Sequence, residues 1–178
     1  MPGISSSFFS AICPSVLAAA AGIFALASCD AQTDIEAGGT AVQKVAGNWE
    51  VRADLADADG NVIAEDCYGI GTFTLYTYNT ASNSSKEMWI DDRGNFWAFK
   101  FKVDVNVSKQ TFSTSDYVPY DAAGTGNAKI VSGKVMYGAA TNLHGMPNDS
   151  IAFLVTFDDD NPDTYYMIQG QRYTGFSE

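Results

Sequence analysis

The fold class of this chain is decided by the stretch Phe96-Trp97-Ala98-Phe99-Lys100-Phe101-Lys102-Val103-Asp104-Val105. Its odd-numbered positions are all apolar, while Lys100, Lys102 and Asp104 occupy even positions. Successive side chains of a β-strand point to opposite sides, so a period of two separates the apolar and charged sets onto opposite faces. The sequence therefore predicts a half-buried strand over residues 96–105, with the apolar face turned toward a core.

This strand is predicted to form a hairpin with the segment that precedes it in the chain. Residues 87–90 form the predicted partner, and the loop 91–95 includes Gly94, which supplies the positive φ that a bulged hairpin needs. Further runs of strand-forming residues, separated by turn signals, are predicted at residues 48–53, 61–65, 71–78, 109–113, 129–137, 150–157 and 165–174. A helical period is conceivable only at residues 40–46. The domain is predicted to be all-β, either a sandwich or an up-and-down barrel.

The beginning of the chain has the character of an export signal. An apolar run over residues 11–27 ends in Leu26-Ala27-Ser28-Cys29, a pattern that bacterial lipoprotein processing cleaves and acylates. Pro14 and Gly22 interrupt the run, which disfavours a membrane-spanning helix. We expect a signal peptide at residues 1–28, a flexible tether at 29–39 and a folded domain at 40–178. Cys29 would anchor the protein to a membrane through its lipid.

The charge of the chain excludes one class of partner. The chain carries 21 acidic and 10 basic residues, for a formal net charge of −11. Nucleic-acid binding relies on Lys and Arg that neutralise phosphates, so nucleic acid is not an expected partner. Attachment to a membrane is expected through the lipid on Cys29.

Two motifs at opposite ends of the domain resemble those of lipocalins. Gly47-Asn48-Trp49 lies on the first predicted strand, and Ile168-Gln169-Gly170-Gln171-Arg172 lies on the last. In lipocalin-type barrels, the tryptophan of such a motif lies across the closed end and an arginine from the last strand stacks on it. The resemblance implies that Trp49 and Arg172 form this barrel-closing pair.

Further segments resemble a family of small lipoproteins from Gram-negative anaerobes. They are residues 77–80, 88–92, 96–100, 132–134, 149–151 and 170–176. That family is known as the lipid-binding putative hydrolases and is described as lipocalin-like. The resemblance implies an up-and-down antiparallel β-barrel of about eight strands that binds lipid. It also implies that the Cys29-anchored protein lies in the Gram-negative envelope, facing the periplasm or the cell surface, and it assigns no catalytic residues.

Catalytic and metal-binding chemistry has few candidates. His144 is the only histidine, so a nucleophilic mechanism would run through it, with Ser150, Cys67 or Asp149 as partners. Residues 158–163 and 57–60 are rich in aspartate, but both are better interpreted as turns than as calcium sites. We therefore expect no metal and no cofactor, and name His144 and Ser150 only as weak catalytic candidates.

The sequence favours an exported lipoprotein that binds a small apolar ligand, a lipid or a fatty acyl chain, inside the barrel. Tyr hydroxyls or Arg172 would orient the polar head. The predicted ligand-binding residues, inward-facing by alternation, are Trp97, Phe99, Phe101, Phe153, Val155 and Tyr166. Two alternatives remain open: a hydrolase of lipid esters acting through His144 with Ser150 or a water, and a non-catalytic accessory subunit of a surface complex with a filled barrel.

Overall fold

A computed structural model describes residues 38–142 and 144–175 of the chain, and this part is built from β-strands and turns without a helix. The strands are β1 (Gly47–Ala56), β2 (Val62–Ala64), β3 (Phe73–Asn79), β4 (Glu87–Asp91), β5 (Lys100–Asn106), β6 (Thr111–Ser113), β7 (Val118–Pro119), β8 (Asn127–Thr141), β9 (Pro147–Phe157) and β10 (Tyr165–Arg172). In this part of the chain, no helix could cross a membrane.

Eight of the strands close into an antiparallel barrel. Around the ring the order is β1, β3, β4, β5, β6, β8, β9 and β10, and β10 pairs with β1 from Trp49 opposite Arg172 to Ala56 opposite Tyr165. Each barrel strand neighbours the next one in the chain, so the topology is up-and-down. The short strands β2 and β7 pair only with β1 and β8, respectively. The predicted all-β, lipocalin-like barrel is confirmed.

Glycine permits the close approach of β1 and β10 at the seam. A Cβ atom on Gly170 would lie 1.9 Å from the carbonyl oxygen of Glu50 and 2.6 Å from Cα of Val51. Both obstacles are backbone atoms, which no side-chain rotation can move. Gly170 is thus the residue that allows the first and last strands to join.

Aliphatic and aromatic side chains from all eight barrel strands fill the interior of the barrel. Leu75, Ile90, Ile130 and Ile151 are each 0% exposed. The predicted inward-facing aromatic residues join this core, and among them Phe99 and Phe153 are 1% exposed. An eight-stranded barrel is just wide enough for such a filling.

Several boundaries differ from the sequence-based predictions. The fifth strand begins at Lys100, so residues 96–99 belong to the preceding loop. Residues 40–46 form a hydrogen-bonded turn, in which the amide of Ala46 donates to the carbonyl of Val42. Strand β7 has only two residues and was not predicted. The predicted signal peptide, Cys29 and residues 29–37 of the tether lie outside the described residues.

Candidate functional site

One end of the barrel is closed by Trp49 and Arg172, the pair implied by the lipocalin resemblance. The guanidinium carbon of Arg172 lies 4.4 Å from the centre of the Trp49 ring. Arg172 Nη1 also donates to the carbonyl of Ala46, at 3.0 Å, and Nε donates to Asp149 Oδ2, at 3.1 Å. This arginine therefore holds the turn before β1 against the end of the barrel and is fully engaged in closing it. It is not placed to orient a ligand head at the opposite end.

A buried relay of hydrogen bonds completes the closed end. The indole Nε1 of Trp49 donates to Thr77 Oγ1 at 2.9 Å, and Thr77 Oγ1 donates to the carbonyl of Val45 at 2.8 Å. Trp49 and Val45 are 0% exposed and Thr77 is 2% exposed. Buried polar groups are costly unless they are paired, so the relay fixes the indole in one orientation.

The opposite end of the barrel carries a cluster of aromatic rings, which we call the mouth cluster. Its members, whose contacting rings have centroids 4.6–6.3 Å apart, are Tyr68, Phe96, Trp97, Phe157 and Tyr166. The closest contact is between Trp97 and Phe157, which stack at 4.6 Å with an interplanar angle of 12°. Phe157 and Tyr166 are almost fully buried, Phe96 and Trp97 are half-buried, and Tyr68 is 55% exposed. The cluster thus runs continuously from the core to the surface.

A single carboxylate positions the loop that supplies Phe96 and Trp97. Asp92, which is 0% exposed, accepts hydrogen bonds from the backbone amides of Gly94, Phe96 and Trp97 at 2.8–3.0 Å. Ala98 then adopts a φ of +55°, which turns the chain into β5. The two aromatic side chains are held over the barrel end by this loop rather than by the strand.

Polar groups surround the outer rim of the mouth cluster. The Tyr166 hydroxyl donates to Asp160 Oδ2 at 2.6 Å, and its oxygen lies 2.7 Å from the hydroxyl of Tyr68. Asp159 accepts from the Tyr120 hydroxyl at 2.8 Å and from Trp97 Nε1 at 3.3 Å. Burial, reinforced by the contacts with Asp160 and Tyr68, raises the pKa of Tyr166. Burial and Asp159 likewise raise the pKa of Tyr120, so both phenols stay protonated and remain hydrogen-bond donors.

The predicted ligand-binding residues occupy different depths. Trp97 and Tyr166 belong to the mouth cluster. Phe99 lies below them, with its ring centroid 6.0 Å from that of Phe157, and it contacts Phe101 at 5.5 Å. Val155 is the strand partner of Tyr166. Phe153 lies deeper, next to Phe112 at 5.8 Å. Five of the six predicted residues are thus connected. Trp97, Phe99 and Tyr166 each contact Phe157, Phe101 contacts Phe99, and Val155 pairs with Tyr166, whereas Phe153 lies deeper beside Phe112.

Three members of the mouth cluster, Tyr68, Phe96 and Phe157, are not among the predicted ligand-binding residues. Strict alternation placed Phe96 on the face opposite Trp97, because the loop held by Asp92 was not foreseen. Tyr68 directly precedes Gly69 in the loop 65–72, where no periodic pattern exists. The aspartates at 159 and 160 were singled out by sequence, but as possible metal ligands.

The catalytic candidates do not form a constellation. Ser150 lies on β9 opposite Met136, and its partner on β10 is Gln171. His144 lies on the turn between β8 and β9, which ends at Pro147. Pro147 is three strand residues, or about 10 Å, from Ser150. Asp149 binds Arg172, and burial raises the pKa of the Cys67 thiol, which disfavours the nucleophilic thiolate. Within the described residues, no hydrogen bond joins Ser150 to a base.

Ser150 instead lines an open depression of about 740 Å³ on the outer wall of the barrel, together with the polar residues Glu50, Arg52, Gln169 and Gln171 and apolar neighbours such as Met136. These residues project from neighbouring strands, and Arg52 and Gln169 are both bonded to the buried carboxylate of Asp54.

The aspartate-rich loops serve as turns. Asp57 accepts hydrogen bonds from the amides of Asp59 and Asn61, and Asp158 accepts from the amide and side chain of Asn127. Across the described residues, no three His, Cys, Asp or Glu side chains are grouped to hold a metal ion.

Comparison with known proteins identifies a family. No functionally curated protein matches the chain. A solved structure of a protein of unknown function from Bacteroides ovatus aligns at 11% identity with a TM-score of 0.45, over 75% of this chain and 43% of that one. The chain thus spans less than half the length of that structure. A family model described as "Lipid-binding putative hydrolase" matches residues 34–177. The chain therefore belongs to the lipid-binding putative hydrolase family.

Proposed function

We propose that this protein binds the acyl chain of a lipid, which enters the barrel through the mouth cluster. The observation that carries the proposal is the continuity of this cluster, from the exposed ring of Tyr68, through half-buried Trp97, to the core ring of Phe157. An apolar path of this kind, with a few polar groups at its outer end, is the usual character of a site for an amphipathic molecule. Membership of a lipid-binding family supports the same ligand class.

Binding requires the rings to separate, because they fill the space that the acyl chain would occupy. Each aromatic pair contributes about 0.5–1.5 kcal/mol, so parting three pairs costs about 2–5 kcal/mol. Burial of about eight methylene groups, at about 0.8 kcal/mol each, contributes about 6 kcal/mol. The ligand thus stabilises an open form of the mouth that is rare in its absence.

The polar head of the ligand would remain at the rim. Tyr68, Tyr120 and Tyr166 provide hydroxyl groups there, while Asp159 and Asp160 provide carboxylate acceptors. These hydrogen-bonding groups lie where the polar head of a bound fatty acid or other lipid would emerge from the mouth.

The first part of the proposal is tested by native mass spectrometry of the purified protein before and after extraction with organic solvent. We expect a lipid adduct that extraction removes and added fatty acid restores. A bare mass that acquires no fatty acid would reject lipid binding and support the filled barrel of an accessory subunit.

The proposal also includes anchoring in the Gram-negative envelope through acyl groups on Cys29, on the periplasmic or outward face. It is supported by the sequence Leu26-Ala27-Ser28-Cys29 at the end of an apolar run. We expect membrane-fraction protein to begin at Cys29 and to carry the added mass of acyl chains. The Cys29→Ser variant should lack that mass, and an unmodified Cys29 in the wild-type protein would refute the anchor.

A further inference from the structure

Exposed apolar side chains are concentrated in the segment that follows β1 at the mouth end of the barrel. Nine large hydrophobic residues of the described chain are exposed, and four of them lie within the nine residues 62–70. We call these four the mouth strip: Val62 at 41%, Ile63 at 65%, Tyr68 at 55% and Ile70 at 40% exposure. Single exposed apolar residues are normal on a protein surface, whereas a group of them marks an interaction site.

The mouth strip is held in a defined conformation. Val62 belongs to β2, which pairs with the end of β1. The backbone amide of Asp66 donates to the buried carboxylate of Asp54 at 2.9 Å, and the Asp66 side chain accepts from the amide of Gly71 at 3.0 Å. The strip is therefore presented to solvent by an ordered part of the fold.

Tyr68 connects the mouth strip to the proposed lipid site. Its ring contacts Phe96, Trp97 and Tyr166 at centroid distances of 5.9–6.3 Å. Since the Tyr166 hydroxyl donates to Asp160, Tyr68 is the donor in the bond between the two phenols. A partner that covers Tyr68 is therefore next to the rings that must separate to admit an acyl chain.

The charge around the mouth restricts what can cover it. The segments 57–66 and 158–163 carry eight carboxylates and no Lys or Arg. Arg52 Nη1 pairs with one of these carboxylates, that of Glu65, at 3.3 Å, and among the described residues no other ion pair is seen in the two segments, so the rim repels an anionic surface. A neutral apolar partner with polar head groups fits both the strip and its rim, and tyrosine in particular favours such an interface.

We propose that the mouth strip docks on the surface of a lipid bilayer with zwitterionic head groups, so that the mouth cluster receives its lipid directly from the membrane. The proposal rests on the lipid-binding function proposed above and adds the partner surface. Ile63 and Tyr68 would lie among the head groups and upper acyl chains, while the carboxylates remain in water.

The test compares two substitutions that each add one tryptophan to the full chain. Their emission is measured with vesicles of phosphatidylcholine brominated on its acyl chains. Ile63→Trp places an indole in the mouth strip. Met146→Trp is the matched control, because Met146 is 61% exposed but lies on the β8–β9 turn at the opposite end of the barrel. Any N-terminal anchor is the same in both variants. We expect bromine to quench the emission added by Ile63→Trp at least about twofold more than that added by Met146→Trp. Equal quenching in both would overturn the proposal.

A second measurement uses the rate at which the full chain takes up a fluorescent fatty acid from phosphatidylcholine vesicles. Ile63→Asp should slow this uptake roughly tenfold, since a charge replaces an inserted apolar group, and Met146→Asp should leave it unchanged. Affinity for fatty acid added without vesicles should stay the same in both variants. Retained affinity with unchanged uptake would reject docking and leave lipid binding intact, whereas failure of all variants to bind fatty acid would reject lipid binding itself.

Two further outcomes decide between occupants of the strip. Replacing part of the phosphatidylcholine with anionic phosphatidylglycerol should reduce the quenching of Ile63→Trp, and an increase would contradict the charge argument. If a second copy of the chain covers the strip, the wild-type protein should elute as a dimer that Ile63→Asp dissociates, without bromine quenching. That result would replace the membrane with a protein partner.

Discussion

The guanidinium carbon of Arg172 lies 4.4 Å above the ring of Trp49, and the two residues are direct partners in the pairing of β10 with β1. The contact therefore closes the barrel in two senses, since it seals one end and lies at the seam between the first and last strands. The proposed lipid site is at the opposite end, where the mouth cluster lies.

Loss of the arginine should weaken the closed end measurably. Arg172→Met removes the cation–π contact and the hydrogen bonds to Asp149 and Ala46, and we expect it to lower the free energy of unfolding by about 2–3 kcal/mol. Arg93→Met is the control, because Arg93 lies over Tyr76 at 5.3 Å on the exposed surface and should cost no more than about 1 kcal/mol. Urea unfolding checks both, and equal losses would show that Arg172 has no special role.

The buried relay should be sensitive to a change that preserves shape. Thr77→Val leaves both the Trp49 indole N–H and the Val45 carbonyl without their partner, so we expect a loss of about 2–4 kcal/mol. Thr74→Val, on the same strand but half-buried, should change stability by less than about 0.5 kcal/mol. Thermal and urea unfolding of the two variants measure the difference, and a neutral Thr77→Val would show that the relay contributes nothing.

The seam should tolerate no side chain at Gly170. Gly170→Ala forces a methyl group into the backbone of Glu50 and Val51, and we expect a loss of about 3 kcal/mol or more, or failure to fold. At Gly133 the nearest atoms to an added Cβ belong to the Phe112 ring, at 2.3 Å, and a side chain can shift. Gly133→Ala should therefore cost less. Circular dichroism and unfolding would contradict this view if the order of the two losses were reversed.

The buried carboxylate of Asp54 should make stability depend on acid pH. Burial alone would raise its pKa, but hydrogen bonds from Arg52, the amide of Asp66 and Gln169 outweigh burial and lower it. The folded state therefore prefers the ionised form. The resulting stability is present above the unfolded pKa of about 3.9 and is lost as the pH falls through the lowered folded value.

We accordingly expect Asp54→Asn to be less stable than the wild-type protein at pH 7, and the difference to shrink as the pH is lowered below about 4. Urea unfolding across this pH range measures it. A difference that does not change with pH would mean that ionisation of Asp54 does not stabilise the fold.

The sequence was sufficient for the architecture but not for every boundary. Alternation from Phe99 to Val105 identified β5 and its partner correctly, because that strand is regular and buries one face. The start of the strand was predicted four residues too early, since Asp92 captures three backbone amides and shapes residues 96–99 into a loop. Such a capture depends on three-dimensional geometry and leaves no periodic signal.

The candidate site shows the same division. The closing pair of Trp49 and Arg172 was accessible because two short motifs resemble those of lipocalins. The mouth cluster was only partly accessible, since Tyr68 and Phe96 come from irregular loops that meet only in the folded chain. The predicted strand 129–137 is also shorter than β8. Its pairing with β9 continues past a register shift between Met136 and Ala140, where the alternation is interrupted.

Lipid binding at the mouth is the central claim, and Trp97 provides the most direct probe of it. Titration with a fatty acid brominated along its chain should quench tryptophan emission in the wild-type protein, because Trp97 stacks on Phe157 in the path of the ligand. Trp49 lies at the closed end and Trp89 faces outward, so quenching should largely disappear in Trp97→Phe while binding persists. Absence of quenching in the wild-type protein, or equal quenching in Trp97→Phe, would contradict the proposed site.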